Sequence, residues 1–317
     1  MLLNFLIFII AAAVLAKSSV FLIDTITRIA LKLRVSEYLV GFVIMAFAAS
    51  IPDLSVGIAA ALGGKPILSL GNVIGTGIAD PTLSLGLAAL VAGGLRVQTH
   101  IRNRQIFYTV FLVLTPLIML LDGKLTRNEG LILLLLFALF VYTLILGSRA
   151  YTKVIQDHRS QRSLFAELCS FALGAAVLLG SAGILVKTGE VLALAFGIPS
   201  ILIGLFVIAL GTSLPELSFS ILAAVKRQGA LVMGAILGCV VTDATLVLGA
   251  TALIHPITLS TEDFNVFLTS AGALIFALLI FTCFIRSEYK ISRKEALILV
   301  LGYLVFVIAE LLYGMRA

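Results

Sequence analysis

The chain has 317 residues, 61% of them hydrophobic and 12% charged, where an average soluble domain carries about 25% charged residues. That composition excludes an ordinary water-soluble globular protein, because apolar stretches of about 20 residues, long enough to cross a hydrocarbon core, recur with brief polar breaks. The net charge of +6 would suggest nucleic acid in a soluble protein, but in a membrane protein basic residues first report orientation.

Apolar runs bounded by Gly, Pro and charge clusters predict ten helices, at 2-22, 37-61, 67-92, 104-121, 128-147, 164-186, 198-224, 230-253, 265-285 and 296-314. The first run has no basic residue before it and no small-residue cleavage site, so it is expected to span rather than to be removed. Barrel-like alternation is absent, and isolated strands in lipid would leave their edge groups unpaired. The expected fold class is therefore all-α, a polytopic membrane protein with ten transmembrane helices arranged as two inverted-topology repeats of five. The basic segment 148-163 divides a first repeat, 1-147, from a second, 164-317. Cys169, Cys239 and Cys283 lie in apolar segments without paired spacing, so neither a disulfide framework nor a zinc site is expected.

Basic residues concentrate in the loops after helices one, three, five, seven and nine, which hold 16 of the 22 lysines and arginines. The charge rule then puts those loops inside the cell and both termini outside, in the cell membrane. An odd number of helices per half makes equivalent helices cross in opposite senses.

The halves also match in sequence. Ser50-Ile51-Pro52-Asp53-Leu54-Ser55 aligns with Ser213-Leu214-Pro215-Glu216-Leu217-Ser218 at an offset of 163 residues, which also pairs Gly71 with Gly234, Gly75 with Gly238, Asp80 with Asp243 and Gly86 with Gly249. Shared Leu and Ala would mean little between two membrane helices. Shared Pro, Gly and acids in fixed register indicate a repeat.

Helices two and seven each place a proline one residue before an acid in mid-span, Pro52-Asp53 and Pro215-Glu216. Proline inside a helix removes an N–H and displaces the carbonyl four residues earlier. In lipid, freed carbonyls are tolerated where they line a cavity or bind something. Helices three and eight add Asp80 and Asp243, and in helix three Asn72, Thr76 and Asp80 stack on one face at a spacing of four. The same row in helix eight reads Ala235, Cys239 and Asp243. Four intramembrane acids without Lys or Arg in the same spans mark a functional site. The alternative, protonated carboxyls that only brace helix packing, suits a single acid better than four in repeat-related positions. Carboxylate, hydroxyl, amide and carbonyl oxygens suit hard cations, calcium among them with about six to eight ligands.

Blander readings are expected elsewhere. Glu310 is expected to snorkel or pair near an outer end, Asp24, Lys187 and Glu190 to be solvated at helix ends, and Ser18, Ser19, Gly180, Ser181 and Gly183 to serve close packing of helices one and six.

The motif Gly211-Thr212-Ser213-Leu214-Pro215-Glu216, together with Gly71-Asn72-Val73-Ile74-Gly75-Thr76 and Ile78-Ala79-Asp80, resembles the two α-repeats of the cation/calcium antiporter superfamily, specifically the prokaryotic sodium/calcium exchangers. The resemblance covers essentially the whole chain. It implies a core of helices two, three, seven and eight around a diamond of ion sites, over which helices one and six glide in alternating access. On that resemblance Asp53 and Glu216 are the central calcium ligands, helped by the carbonyls of Ala49 and Thr212. Asp80 and Asp243 hold the equatorial position for sodium, water or a proton. Ser50, Ser213 and Thr76, with the carbonyls of Ala46 and Ala209, complete the sodium sites. Asp53 departs from the family's usual glutamate, Asp80 from asparagine, Ala49 from threonine and Cys239 from serine.

The implied activity is secondary-active exchange of calcium for sodium, with no enzymatic reaction, no cofactor, no nucleic acid and no required protein partner beyond the lipid bilayer. Four ionised carboxylates would leave a net negative charge around either one calcium or three sodium ions, so Asp80 or Asp243 is expected to carry a proton in a loaded state. A proton/calcium antiporter is accordingly the nearest alternative. An intramembrane aspartyl protease is remote, because Gly75-Thr76-Gly77 is separated from Asp80 by Ile78 and Ala79 where such proteases use Gly-x-Gly-Asp.

Overall fold

The computed structural model describes residues 2-32, 50-96, 103-148, 163-196, 199-288 and 290-314. Six helices in these residues are long and apolar enough to cross a membrane, with windows Leu3–Leu22, Pro66–Ala92, Arg127–Leu144, Leu164–Gly189, Val232–Ile254 and Thr261–Ile285, and a seventh if Ser200–Leu214 and Glu216–Val225 count as one bent span. Numbered in chain order, the helices are α1 Leu2–Lys32, α2 Ile51–Leu62, α3 Pro66–Ala92, α4 Asn103–Met119, α5 Arg127–Ser148, α6 Leu164–Phe196, α7 (Ser200–Leu202, Ile203–Ile208 and Ala209–Val225), α8 (Gly229–Thr242, Asp243–Val247 and Leu248–Ile254), α9 Thr261–Glu288 and α10 Arg293–Gly314. The expected start of helix two, from 37, lies outside the described residues.

α1 and α6 run about ten residues beyond their expected ends, so Asp24 and Lys187 fall within helices rather than at their tips, although both side chains are exposed. One outward-pointing charge leaves the backbone ladder intact and does not stop a helix; Pro199, just beyond α6, does. The two long helices lie against each other and are joined by an ion pair, Arg28 Nε to Glu167 Oε2 at 3.1 Å. Ser18 and Ser181 are buried but turn their hydroxyls back onto their own helices, to the carbonyls of Leu15 and Leu178. Gly180 and Gly183 face open space rather than a close neighbour.

Both acid-bearing helices of the second motif widen to a π-helical turn at the acid, Asp80–Ser84 in α3 and Asp243–Val247 in α8, in the same 163-residue register. Pro81 supplies one cause in α3, since it cannot donate to the ladder. A second cause is shared: Thr82 and Thr245, each two residues past the acid, return their hydroxyls to the carbonyls of Ile78 and Val241 and compete with the backbone for them. α7 bends by 46° between Leu214 and Glu216, where Pro215 interrupts the ladder.

The only departures from helix among the described residues are turns and four two-residue strands, β1 Leu95–Arg96, β2 Lys124–Leu125, β3 Ile257–Thr258 and β4 Lys290–Ile291. They pair antiparallel across the halves, β1 with β4 and β2 with β3. Each of β2 and β4 leads into a capping box: Thr126 N donates to Glu129 Oε2 at 2.8 Å before α5, and Ser292 N to Glu295 Oε2 at 2.8 Å before α10.

The core forms where α3 and α7 meet backbone to backbone. A Cβ on Gly75 would run into the carbonyl oxygen of Leu205, and one on Gly204 into that of Leu68. Leu70, Ile74 and Ile78 then pack with Leu205, Val240, Val247, Phe267 and Leu274. Outward faces remain apolar, with Leu135 and Leu139 of α5, Phe276 and Leu279 of α9, and Val305 and Ile308 of α10 all exposed. Lipid, not water, is the solvent that such a surface suits.

Candidate cation site

The four intramembrane acids converge on the centre of α2, α3, α7 and α8, and all are nearly inaccessible: Asp53 1%, Asp80 2%, Glu216 6% and Asp243 1% exposed. Each lies within electrostatic reach of the others. No Lys or Arg lies among the buried polar residues of these helices.

Asp53 sits in the first turn of α2, where Pro52 costs nothing because the first N–H groups lack helical partners anyway. Asn72 Nδ2 donates to Asp53 Oδ1 at 2.6 Å, and Thr212 Oγ1 donates to Asn72 Oδ1 at 3.1 Å. One asparagine therefore links α2, α3 and α7. Thr212 also faces the carbonyl of Ala209 at 3.1 Å. On the other side of the centre, Thr76 Oγ1 donates to Asp243 Oδ2 at 3.2 Å, joining α3 to α8.

The serines cross over between halves. Ser213 lies beside Asp80, and Ser50 beside Asp243. Neither serine hydroxyl makes a hydrogen bond of ordinary geometry, and the same holds for Asp80 Oδ1, Asp243 Oδ1, Glu216 Oε2, Ser84 Oγ and Ser220 Oγ. A buried polar atom left unpaired costs about 1–3 kcal/mol. Seven such oxygens clustered at one place form a hard-oxygen set of the kind that suits a cation. A cavity of about 10 Å³, just large enough for one water-sized guest, opens among Asp80, Glu216, Phe219, Ser220, Ala235, Ile236 and Cys239.

All the sequence-predicted site residues within the described part of the chain, Ser50, Asp53, Thr76, Asp80, Ala209, Thr212, Ser213, Glu216 and Asp243, come together here. Ala46 and Ala49 lie outside the described residues. Among the described residues, no group of three or more His, Cys, Asp or Glu side chains is placed to hold a metal ion by itself. Sequence reasoning placed Asn72 in a polar row but missed its bond to Asp53, which lies 19 residues away on another helix. Ser84 and Ser220 were missed as well, although each stands four residues past an acid and so on that acid's face.

Of the two expectations for Glu310, the structure shows pairing rather than snorkelling. It is 5% exposed and accepts hydrogen bonds from Thr269 Oγ1 at 2.6 Å and Ser270 Oγ at 3.1 Å. Two hydroxyls from α9 satisfy it inside the protein, so it does not need to snorkel outward.

A family model described as sodium/calcium exchanger protein matches residues 3-146 and 167-312. The chain is 25% identical over 345 residues to the sodium/calcium exchanger MaX1 of Methanosarcina acetivorans, covering 96% of this chain and 97% of that protein. It is 30% identical over 282 residues to the inner membrane protein YrbG of Escherichia coli, with 84% of each covered. Among solved structures, the sodium-calcium exchanger NCX_Mj soaked with 10 mM Na+ and 10 mM Sr2+ superposes with a TM-score of 0.67 at 24% identity, over 97% of this chain and 98% of that one.

Proposed function

Because the chain belongs to the sodium/calcium exchanger protein family, we propose that it exchanges calcium for sodium by alternating access at the carboxyl cluster between α2, α3, α7 and α8. It is a multi-pass membrane transporter, not an enzyme. The observation that carries the reading is the ring of buried, unpaired oxygens around Asp53, Asp80, Glu216 and Asp243. Desolvated carboxylates repel one another, and a cation at their centre both neutralises the charge and supplies the missing partners.

Asp53 and Glu216 are the calcium ligands in this reading, with the carbonyls of Ala49 and Thr212. Asp80 and Asp243 take the equatorial position, and Ser50, Thr76 and Ser213 serve sodium with the carbonyls of Ala46 and Ala209. Sodium and calcium compete because they share these oxygens. Asn72 holds Asp53, while the bend at Pro215 leaves the Gly211 carbonyl without its usual N–H donor.

The chain crosses the membrane ten times, as repeats 1-147 and 164-317 of inverted topology joined by a basic cytoplasmic segment, in the cell membrane with both termini outside. The two π-helical turns in one register, the strands exchanged between halves and the paired capping boxes support that arrangement. No protein partner is required.

Calcium uptake into proteoliposomes under separately imposed sodium and proton gradients tests the function. Uptake driven by sodium is expected. Uptake driven by protons alone would favour the proton/calcium alternative that the paired equatorial aspartates leave open, and uptake driven by neither would end both readings.

A further inference from the structure

The cavity of about 10 Å³ beside Asp80 and Glu216 is walled on one side by Ser220 of α7 and on another by Ala235 and Cys239 of α8. Three of its lining residues carry a buried oxygen without a hydrogen-bond partner: Asp80 Oδ1, Glu216 Oε2 and Ser220 Oγ. The rest of the wall is apolar but for the Cys239 thiol.

The repeat shows how such a cavity arises. At the 163-residue offset Glu216 corresponds to Asp53, Ala235 to Asn72 and Ser220 to Gly57. In the first half the Asn72 amide reaches the acid, donating to Asp53 Oδ1 at 2.6 Å. Ala235 carries no amide, so the corresponding space beside Glu216 stays open and Glu216 Oε2 stays unpaired. The hydroxyl differs as well. A side chain on Gly57 would meet Thr251 Oγ1 at 2.7 Å, and Thr251 is already paired with Ser69 at 2.9 Å. In the first half both places are taken; in the second there is room and a spare hydroxyl.

The space admits one water-sized guest. A neutral guest would leave two buried carboxylates facing each other uncompensated, whereas a cation offsets their repulsion. Calcium takes about six to eight oxygens and would find too few in a wall that is mostly apolar. A single charge suits the place better. We propose that this cavity is a further sodium subsite, ligated by Asp80, Glu216 and Ser220 and opened by the alanine at position 235. Glu216 serves both this position and calcium, so the two ions exclude each other here. The proposal rests on the sodium coupling stated under the proposed function.

The test uses the full chain in proteoliposomes and two modes of transport, sodium-driven calcium exchange and calcium/calcium self-exchange with labelled calcium in the absence of sodium. Ala235→Asn puts an amide into the cavity, as Asn72 does beside Asp53. Sodium activation is expected to become less steep and half-saturating sodium to rise about tenfold, the usual effect of losing an interaction with a charged group, while self-exchange stays within about twofold of the parent. Ser220→Ala is expected to raise half-saturating sodium in the same direction. Both substitutions together should do no more than Ala235→Asn alone, because an excluded ion has no ligand left to lose. Unchanged sodium activation in Ala235→Asn, the result for a cavity that holds only water, would overturn the proposal, as would equal losses in both modes or additive effects in the double variant. Should Ala235→Asn fail to assemble, Ser220→Ala decides: sodium activation unchanged, or lost in step with self-exchange, overturns it. A parent protein that carries calcium without responding to sodium would instead remove the sodium coupling, and this proposal with it.

Discussion

Asn72→Leu tests the centre of the site most directly, because Leu is close to Asn in size and removes only the amide. Asn72 is fully buried, donates to Asp53 at 2.6 Å and accepts from Thr212 at 3.1 Å. A hydrogen bond to a charged group is worth about 1.5–3 kcal/mol. Thr212 keeps the carbonyls of Ile208 and Ala209 as acceptors, so its share is the smaller interhelical value of about 0.6 kcal/mol. The expected loss is roughly 2–3.5 kcal/mol, dominated by Asp53. Part of it falls on calcium binding, since an unheld Asp53 must be ordered when the ion arrives, and half-saturating calcium should rise at least about tenfold. Thermal unfolding of purified protein in detergent, with and without calcium, separates the stability from the binding component. Asn72→Leu melting with the parent and binding calcium with unchanged affinity would refute the bridging role assigned to this residue.

Other substitutions probe neighbouring parts of the argument. Glu216→Gln should abolish calcium uptake while leaving the protein folded, measured as uptake beside a monodisperse elution profile; transport that survives would remove Glu216 from the site. Gly75→Val should prevent assembly, because a side chain there meets the Leu205 carbonyl, whereas Gly183→Ala, which meets nothing within 4 Å, should be tolerated; expression and monodispersity compare the two. Arg28→Met removes the ion pair to buried Glu167 and should lower stability by about 1–3 kcal/mol, while Arg28→Met with Glu167→Leu should recover most of the loss in thermal unfolding. Thr126→Ala removes one capping box and should cost about 1 kcal/mol of stability.

Much of this molecule is readable from sequence alone. Membrane helices announce themselves by hydropathy because lipid leaves the backbone no alternative to internal hydrogen bonding. The acids are as legible, since a charge in an apolar span is too costly to keep without a use. The 163-residue register shows where equivalent residues stand along the chain. Helix ends were less legible: α1 and α6 pass Asp24 and Lys187 because a charge that points away from the core does not break a ladder.

What tertiary structure alone decides is which oxygen meets which. Nothing in the local pattern around Asn72 says that its amide reaches Asp53 on one neighbour and Thr212 on another, or that Ser50 and Ser213 each lie beside the aspartate of the opposite half. Hydropathy and periodicity are properties of neighbours along the chain, whereas the site is made by helices packed at glycines such as Gly75 and Gly204, where contact depends on an absent side chain and so on the shape of the partner.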